Sequence, residues 1–145
     1  MARGGYRTGA GRKPDPNSAR SEARGLVFER LPAEGYQGPI PSFPLPNHTP
    51  REAEVWRWAW RTPQADAWAR ESWRLLTIAL WARTYVVCEG SEAKSADRSS
   101  LHRFADQIGL TPSGLRENRW TIAPTPVEPK PTAGDELAPR RRLRS

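Results

Sequence analysis

The chain has 145 residues and a formal net charge of +7, with 15 prolines, 11 glycines and seven tryptophans. That length allows one domain, and the proline and glycine content of both ends limits the folded part to about 75 residues. The single cysteine, Cys88, excludes an intrachain disulfide and a cysteine-based zinc site and fits a cytosolic protein, while no apolar run approaches the roughly 18 residues that span a bilayer.

The charge is unevenly placed. Residues 1–30 carry seven Arg or Lys against three Asp or Glu, residues 31–123 eleven against ten, and residues 124–145 five against three. Basic arms around a neutral body suit a polyanion such as nucleic acid, although basic tails also serve solubility alone.

Residues 1–30 read as a basic, flexible arm. Four glycines and two prolines in MARGGYRTGAGRKPDPN prevent a stable helix. Arg3, Arg7, Arg12 and Lys13 offer cations to phosphate or to a narrow minor groove. A short helix over 18–30 is allowed, with Ala19, Ala23, Leu26 and Val27 on one side and Gly25 against it. Residues 31–48 contain Pro32, Pro39, Pro41, Pro44 and Pro46, a spacing that forbids helix and sheet and favours an extended connector. Leu31, Tyr36, Ile40, Phe43 and Leu45 are the residues that lay it across an adjoining surface.

The helical core and oligomerisation domain is expected over 49–123. Thr49-Pro50-Arg51-Glu52 is a helix start with a capping residue, a first-turn proline and a capping-box glutamate. The first helix is predicted over about 50–61, because Pro63 disfavours helical geometry at Thr62. Thr62-Pro63 repeats the start signal, and no Gly or Pro follows through residue 89, so one long helix is predicted over 63–89. Six tryptophans fall in this stretch and the helix before it. Trp56, Trp60, Trp68, Trp73, Leu76, Leu80 and Trp81 recur at helical spacing and are read as core and subunit interface. A stacking platform for single-stranded nucleic acid is the competing reading, supported locally by Trp56-Arg57-Trp58. Further helices are predicted over 97–108, closed by Gly109, and over 112–120, opened by Thr111-Pro112. The class is therefore all-α, with residues 124–145 a disordered basic tail by composition.

No catalytic or ligand motif emerges, so an enzyme, a metal and a cofactor are not expected. There is no nucleotide-binding loop, no His pair at metal-ligand spacing and no converging carboxylate cluster; His48 and His102 read as surface residues. A helix–turn–helix spacing is present instead. Ala105 precedes Gly109 by four, and Leu115 follows that glycine by six. Arg116 and Arg119 would then face DNA, although Pro112 and Gly114 make a poor recognition helix. A plain helical hairpin is the competing explanation.

Two stretches resemble a known family. GGYRTGAGRKP is similar to the Gly/Arg-rich opening of many small terminase subunits of tailed bacteriophages. The block WRWAWRTPQADAWARESWRLLTIALWARTYVVCE, followed by LHRFADQIGLTPSGLRENRWTI, resembles the small-terminase type of phages of GC-rich hosts. The resemblance implies a non-enzymatic adaptor in the host cytoplasm, assembled as a ring-like homo-oligomer. It would bind the packaging-initiation site on double-stranded viral DNA and recruit the large terminase subunit, which carries the ATPase and nuclease. The alternatives are a helix–turn–helix transcription regulator and a structural or scaffolding phage protein.

Overall fold

The computed structural model describes Gly25 and residues 27–124. A short strand β1 (Glu29–Leu31) leads into the Pro-rich stretch, and the helices follow: α1 (Pro50–Ala59), α2 (Gln64–Arg70), α3 (Leu75–Glu89), α4 (Ser95–Ile108) and α5 (Pro112–Glu117). A second strand, β2 (Trp120–Ile122), closes the order. The two strands pair in parallel with Glu29 opposite Trp120 and Leu31 opposite Ile122. The described body is mainly helical, as expected, with this small sheet added to it.

The start of α1 forms as its sequence dictates. The Glu52 amide donates to the Thr49 hydroxyl, the Thr49 amide donates to the Glu52 carboxylate, and Pro50 occupies the first turn. Helix α4 ends at Gly109, whose φ of 81° gives the left-handed cap that glycine adopts without strain.

The single helix predicted over 63–89 is broken. Glu71 leaves helical geometry at φ −121° and ψ 68°, and Ser72–Arg74 form a 3-10 turn before α3 begins. The break has a tertiary cause. The last carbonyls of α4 lack helical partners, and three side chains from both sides of the break reach them. Gln64 Nε2 donates to Gly109 O at 3.0 Å, the Trp68 indole N–H to Ile108 O at 2.9 Å, and Arg74 Nη1 to Gln107 O at 2.8 Å. In an unbroken helix Gln64 and Arg74 would lie about 15 Å apart along the axis at 1.5 Å per residue. They could not both meet one helix end.

Two more expectations are corrected at the chain's edges. The last helix stops at Glu117 rather than running to 120, because Arg119 takes φ 57° and turns the chain into β2. The short helix expected over 18–30 is not formed by its end, since residues 29–31 are strand; its first part lies outside the described residues. Glu29 N donates to Arg119 O and Ala123 N to Leu31 O, which extends the pairing at each end.

The core is an aromatic column set among small residues. Phe43 meets Trp56, Trp56 meets Trp60, and Trp60 meets Trp68, with ring centroids 5.2, 5.6 and 5.8 Å apart. Such pairs contribute about 0.5–1.5 kcal/mol each beyond burial. Ala59, Ala65, Ala67, Ala79, Ala82 and Ala105 are buried around them, where the absence of longer side chains lets the helix axes approach.

The Pro-rich stretch is extended and lies on this core rather than on another body. Tyr36, Ile40, Phe43 and Leu45 pack against it, and Leu31 is fully buried. The Trp56 indole donates to Pro41 O at 2.7 Å, and the Arg61 guanidinium donates to the carbonyls of Tyr36 and Gly38. Gly35, at φ 81°, sits so close to the Arg61 carbonyl that a Cβ there would overlap it.

Candidate functional site

The tryptophans divide by role. Trp56, Trp60, Trp68 and Trp81 are buried in the core, as expected, whereas Trp73, Leu76 and Leu80 face outward. Trp73 keeps 70 % of its surface exposed, Leu76 57 %, Leu80 40 % and Val87 47 %. Leu76, Leu80 and Val87 follow at steps of four and seven residues along α3, a spacing that lays an apolar seam along one side of a helix, and Trp73 stands just before it in the 3-10 turn. No charged residue occurs from Leu75 to Ala82.

A second apolar surface lies elsewhere on the same helix. Trp58 of α1 is 60 % exposed and stacks on Trp81 of α3, with centroids 6.1 Å apart and planes 28° from parallel. Tyr85 continues the ledge, 5.4 Å from Trp81. Arg51, Glu54, Val55, Trp58 and Tyr85 line a cleft of about 200 Å³ there. At 3.6 residues per turn, Leu80 and Tyr85 are about 140° apart around α3, so seam and ledge point in different directions. The sequence does not mark Trp58, Tyr85 and Val87 as interface residues; for Val87, the seven-residue step from Leu80 is the signal that could have found it.

Ion pairs fix the elements that carry these surfaces. Glu52 is buried, accepts from Arg83 Nε at 2.7 Å and from the Thr49 amide, and Arg83 also donates to Pro46 O. Burial pushes the Glu52 carboxyl up, but the hydrogen bonds from Arg83 and Thr49 outweigh it, and the net shift is downward. Arg51 joins Glu89 of α3 and Glu54 of its own helix; its hydrogen bond to Glu89 holds that carboxyl below its usual range. Arg70 similarly pairs with Glu29 and Asp66, tying α2 to β1.

Arg74, which no sequence motif singles out, ties together the lower half of the body. It donates to the Glu71 carboxylate, to Gln107 O at 2.8 Å and to Asn118 Oδ1 at 2.7 Å. Its guanidinium lies 4.3 Å from the Trp73 ring and 4.8 Å from the Trp120 ring. One cation thus joins the helix break, the end of α4, the end of α5 and β2. An open cleft of about 430 Å³ beside it is lined by Trp73, Thr77, Asp106, Gln107, Glu117 and Asn118 among others.

The helix–turn–helix spacing yields a true helix pair. Ala105 is buried, Leu115 packs on the core, and Leu110 N donates to Ala105 O across the Gly109 turn. Gly114 lets the two helices touch, since it lies against the Asp106 carbonyl so closely that a Cβ would collide with it. The second helix is six residues long. Arg116 is half-buried and Arg119 exposed, the latter beyond the helix at its left-handed turn. Arg3, Arg7, Arg12 and Lys13 lie outside the described residues.

Among the described residues no group of His, Cys, Asp and Glu is placed to hold a metal ion, and no helix is long and apolar enough to cross a membrane. Cys88 is a free, half-buried thiol. Comparison with known proteins returns no match: no family model fits the chain, and neither a curated protein nor a solved structure is significantly similar to it.

Proposed function

We propose that this chain is a non-enzymatic DNA-packaging adaptor of the small-terminase kind, acting in the host cytoplasm as a ring-like homo-oligomer. The observation that carries the reading is the presence of two distinct exposed apolar surfaces on one small body. An isologous dimer buries the same patch on both copies, whereas a closed ring needs two different patches that meet head to tail. The Trp73–Leu76–Leu80–Val87 seam and the Trp58–Tyr85 ledge answer that need. Each ledge cleft has room for one large apolar side chain from the next copy's seam.

Double-stranded viral DNA is the ligand in this reading. The excess of cations supports it, as do the basic residues Arg3, Arg7, Arg12 and Lys13 at one end and Arg116 and Arg119 beside the helix pair. The ring would present bound DNA to the large terminase subunit, whose ATPase and nuclease act on it. A helix–turn–helix regulator is favoured by the α4–α5 pair alone, and it would be a dimer on a two-fold site.

Native mass spectrometry of the full chain separates the two. The proposal expects a closed assembly of more than two copies that binds duplex DNA with a steep salt dependence. A monomer, or a stable dimer at all concentrations, contradicts it.

A further inference from the structure

We infer that the small β1–β2 sheet is the pole of the body that meets duplex DNA, with the two basic ends of the chain holding one duplex from either side of it. The inference rests on the DNA-binding half of the proposed function and adds where on the body, and with which segments, the duplex is held.

The positive charge of this chain lies at its ends. Residues 1–30 carry seven Arg or Lys against three Asp or Glu, and residues 124–145 five against three, while residues 31–123 are nearly balanced at eleven against ten. A near-neutral body attracts a polyanion weakly, so the ends set where DNA is drawn. They are as far apart in sequence as the chain allows, yet the fold brings their attachment points together.

The parallel pairing of β1 with β2 is the cause. Glu29 N donates to Arg119 O at 2.8 Å, so the N-terminal segment joins the sheet beside Arg119. Ala123 N donates to Leu31 O at 2.9 Å, so the C-terminal segment leaves from the other end of the same pair. The two attachment points are separated by the length of the strands, roughly 10 Å. One turn of duplex DNA is about 34 Å long, so both segments start within the span of a single turn.

The sheet also carries a cation of its own. Arg119 is exposed, holds φ 57° and makes no ion pair within 4.0 Å among the described residues. That backbone region is uncommon outside glycine, so the turn itself gives the arginine side chain no role. Arg119 N donates to Arg116 O at 3.1 Å, which places Arg116 close by. Glu117, exposed between them, keeps its charge, and Glu29 pairs with Arg70. The pole alone is therefore weakly positive, and the chain ends supply most of its cations. Neither strand contributes to the Leu76–Leu80–Val87 seam or the Trp58–Tyr85 ledge, so assembly through those surfaces does not use the sheet's own residues.

The test is the affinity of the full-length protein for a duplex of about 12 base pairs, just over one turn, across a salt series. Wild type is compared with Arg3→Ala/Arg7→Ala/Arg12→Ala/Lys13→Ala, with Arg140→Ala/Arg141→Ala/Arg142→Ala/Arg144→Ala, with Arg119→Gly and with Arg98→Ala. Each phosphate-bound cation contributes about one to the magnitude of the log K against log salt slope. Both fourfold variants should lower it by about two or more on this one short duplex, and Arg119→Gly by about one. Glycine takes the left-handed turn without strain, so Arg119→Gly should unfold no earlier than wild type on heating. Arg98 is ten residues, about 15 Å, along α4 from Ile108, whose neighbour Gly109 abuts the Trp120 ring. Arg98→Ala should therefore leave the slope unchanged. If one fourfold variant or neither changes the slope, the ends do not share a turn of DNA, and the inference fails while the adaptor reading stands. An unchanged slope for Arg119→Gly, or an equal loss for Arg98→Ala, takes the duplex off the sheet and also overturns it. Wild type without salt-dependent duplex binding overturns both.

Discussion

Replacing Arg74 by alanine should cost the fold about 3–5 kcal/mol, the range for removing one partner of a buried charged network. The structure sets that figure. The Arg74 side chain is only 10 % exposed and makes hydrogen bonds to three separate elements. Hydrogen bonds involving a charged group contribute about 1.5–3 kcal/mol each. The Glu71 pair is discounted, because that carboxylate is 37 % exposed and partly hydrated. The contacts over Trp73 and Trp120 add about 0.5–2 kcal/mol, and the contributions overlap because truncation removes them together. A small domain holds about 5–15 kcal/mol in total, so roughly a fifth or more of the stability is at stake. The assay is urea unfolding followed by tryptophan fluorescence at fixed protein concentration, since assembly also stabilises the body. Arg74→Lys should recover only part of the loss, because one ammonium lacks the planar fork that reaches several acceptors. An Arg74→Ala variant within about 0.5 kcal/mol of wild type would show that the helix break is not anchored there.

Three further outcomes follow from the same geometry. Gly114→Ala should destabilise by about 1–3 kcal/mol, read by calorimetry, because its Cβ meets the Asp106 carbonyl and must push α5 off α4. Gly35→Ala combines an overlap on the Arg61 carbonyl with a φ of 81°, and should free the Pro-rich stretch to rapid amide exchange before the helices open. Glu52 gives a pH dependence of fixed sign. Its folded carboxyl titrates below the ordinary value of 4.5, so its contribution is complete above that pH and is lost as pH falls through the lower folded value. Glu52→Gln should therefore flatten the acid limb of the stability curve while lowering the neutral plateau, and an unchanged acid limb would refute the pairing with Arg83.

Local signals in the sequence are reliable wherever the structure is locally determined. Thr49, Pro50 and Glu52 cap their helix as written, and Gly109 ends another. The break at Glu71 is illegible because no breaker residue causes it: the carbonyls of α4 draw Gln64, Trp68 and Arg74 to one place. The strands escape notice for a related reason. Three residues are too few to display a period of two, and pairing between Glu29 and Trp120 joins positions far apart in the chain. The apolar spacing groups Trp68, Trp73 and Trp81 on one helix as core and interface together. Breaking that helix buries Trp68 and Trp81 and turns Trp73 outward. The helix pair is visible from Ala105, Gly109 and Leu115, while the close approach of Gly114 to the Asp106 carbonyl needs the structure.

The head-to-tail assembly is tested most directly by mixing two variants, each blind on one surface. Leu76→Asp/Leu80→Asp removes the seam, and Trp58→Asp removes the ledge; both residue sets are exposed, so circular dichroism should remain native. Alone, each variant should be monomeric by native mass spectrometry. Mixed, they should form a one-to-one dimer and nothing larger, because a single intact seam then meets a single intact ledge. If Trp58→Asp assembles like wild type, or if the mixture stays monomeric, the two surfaces are not partners and the ring is not built from them.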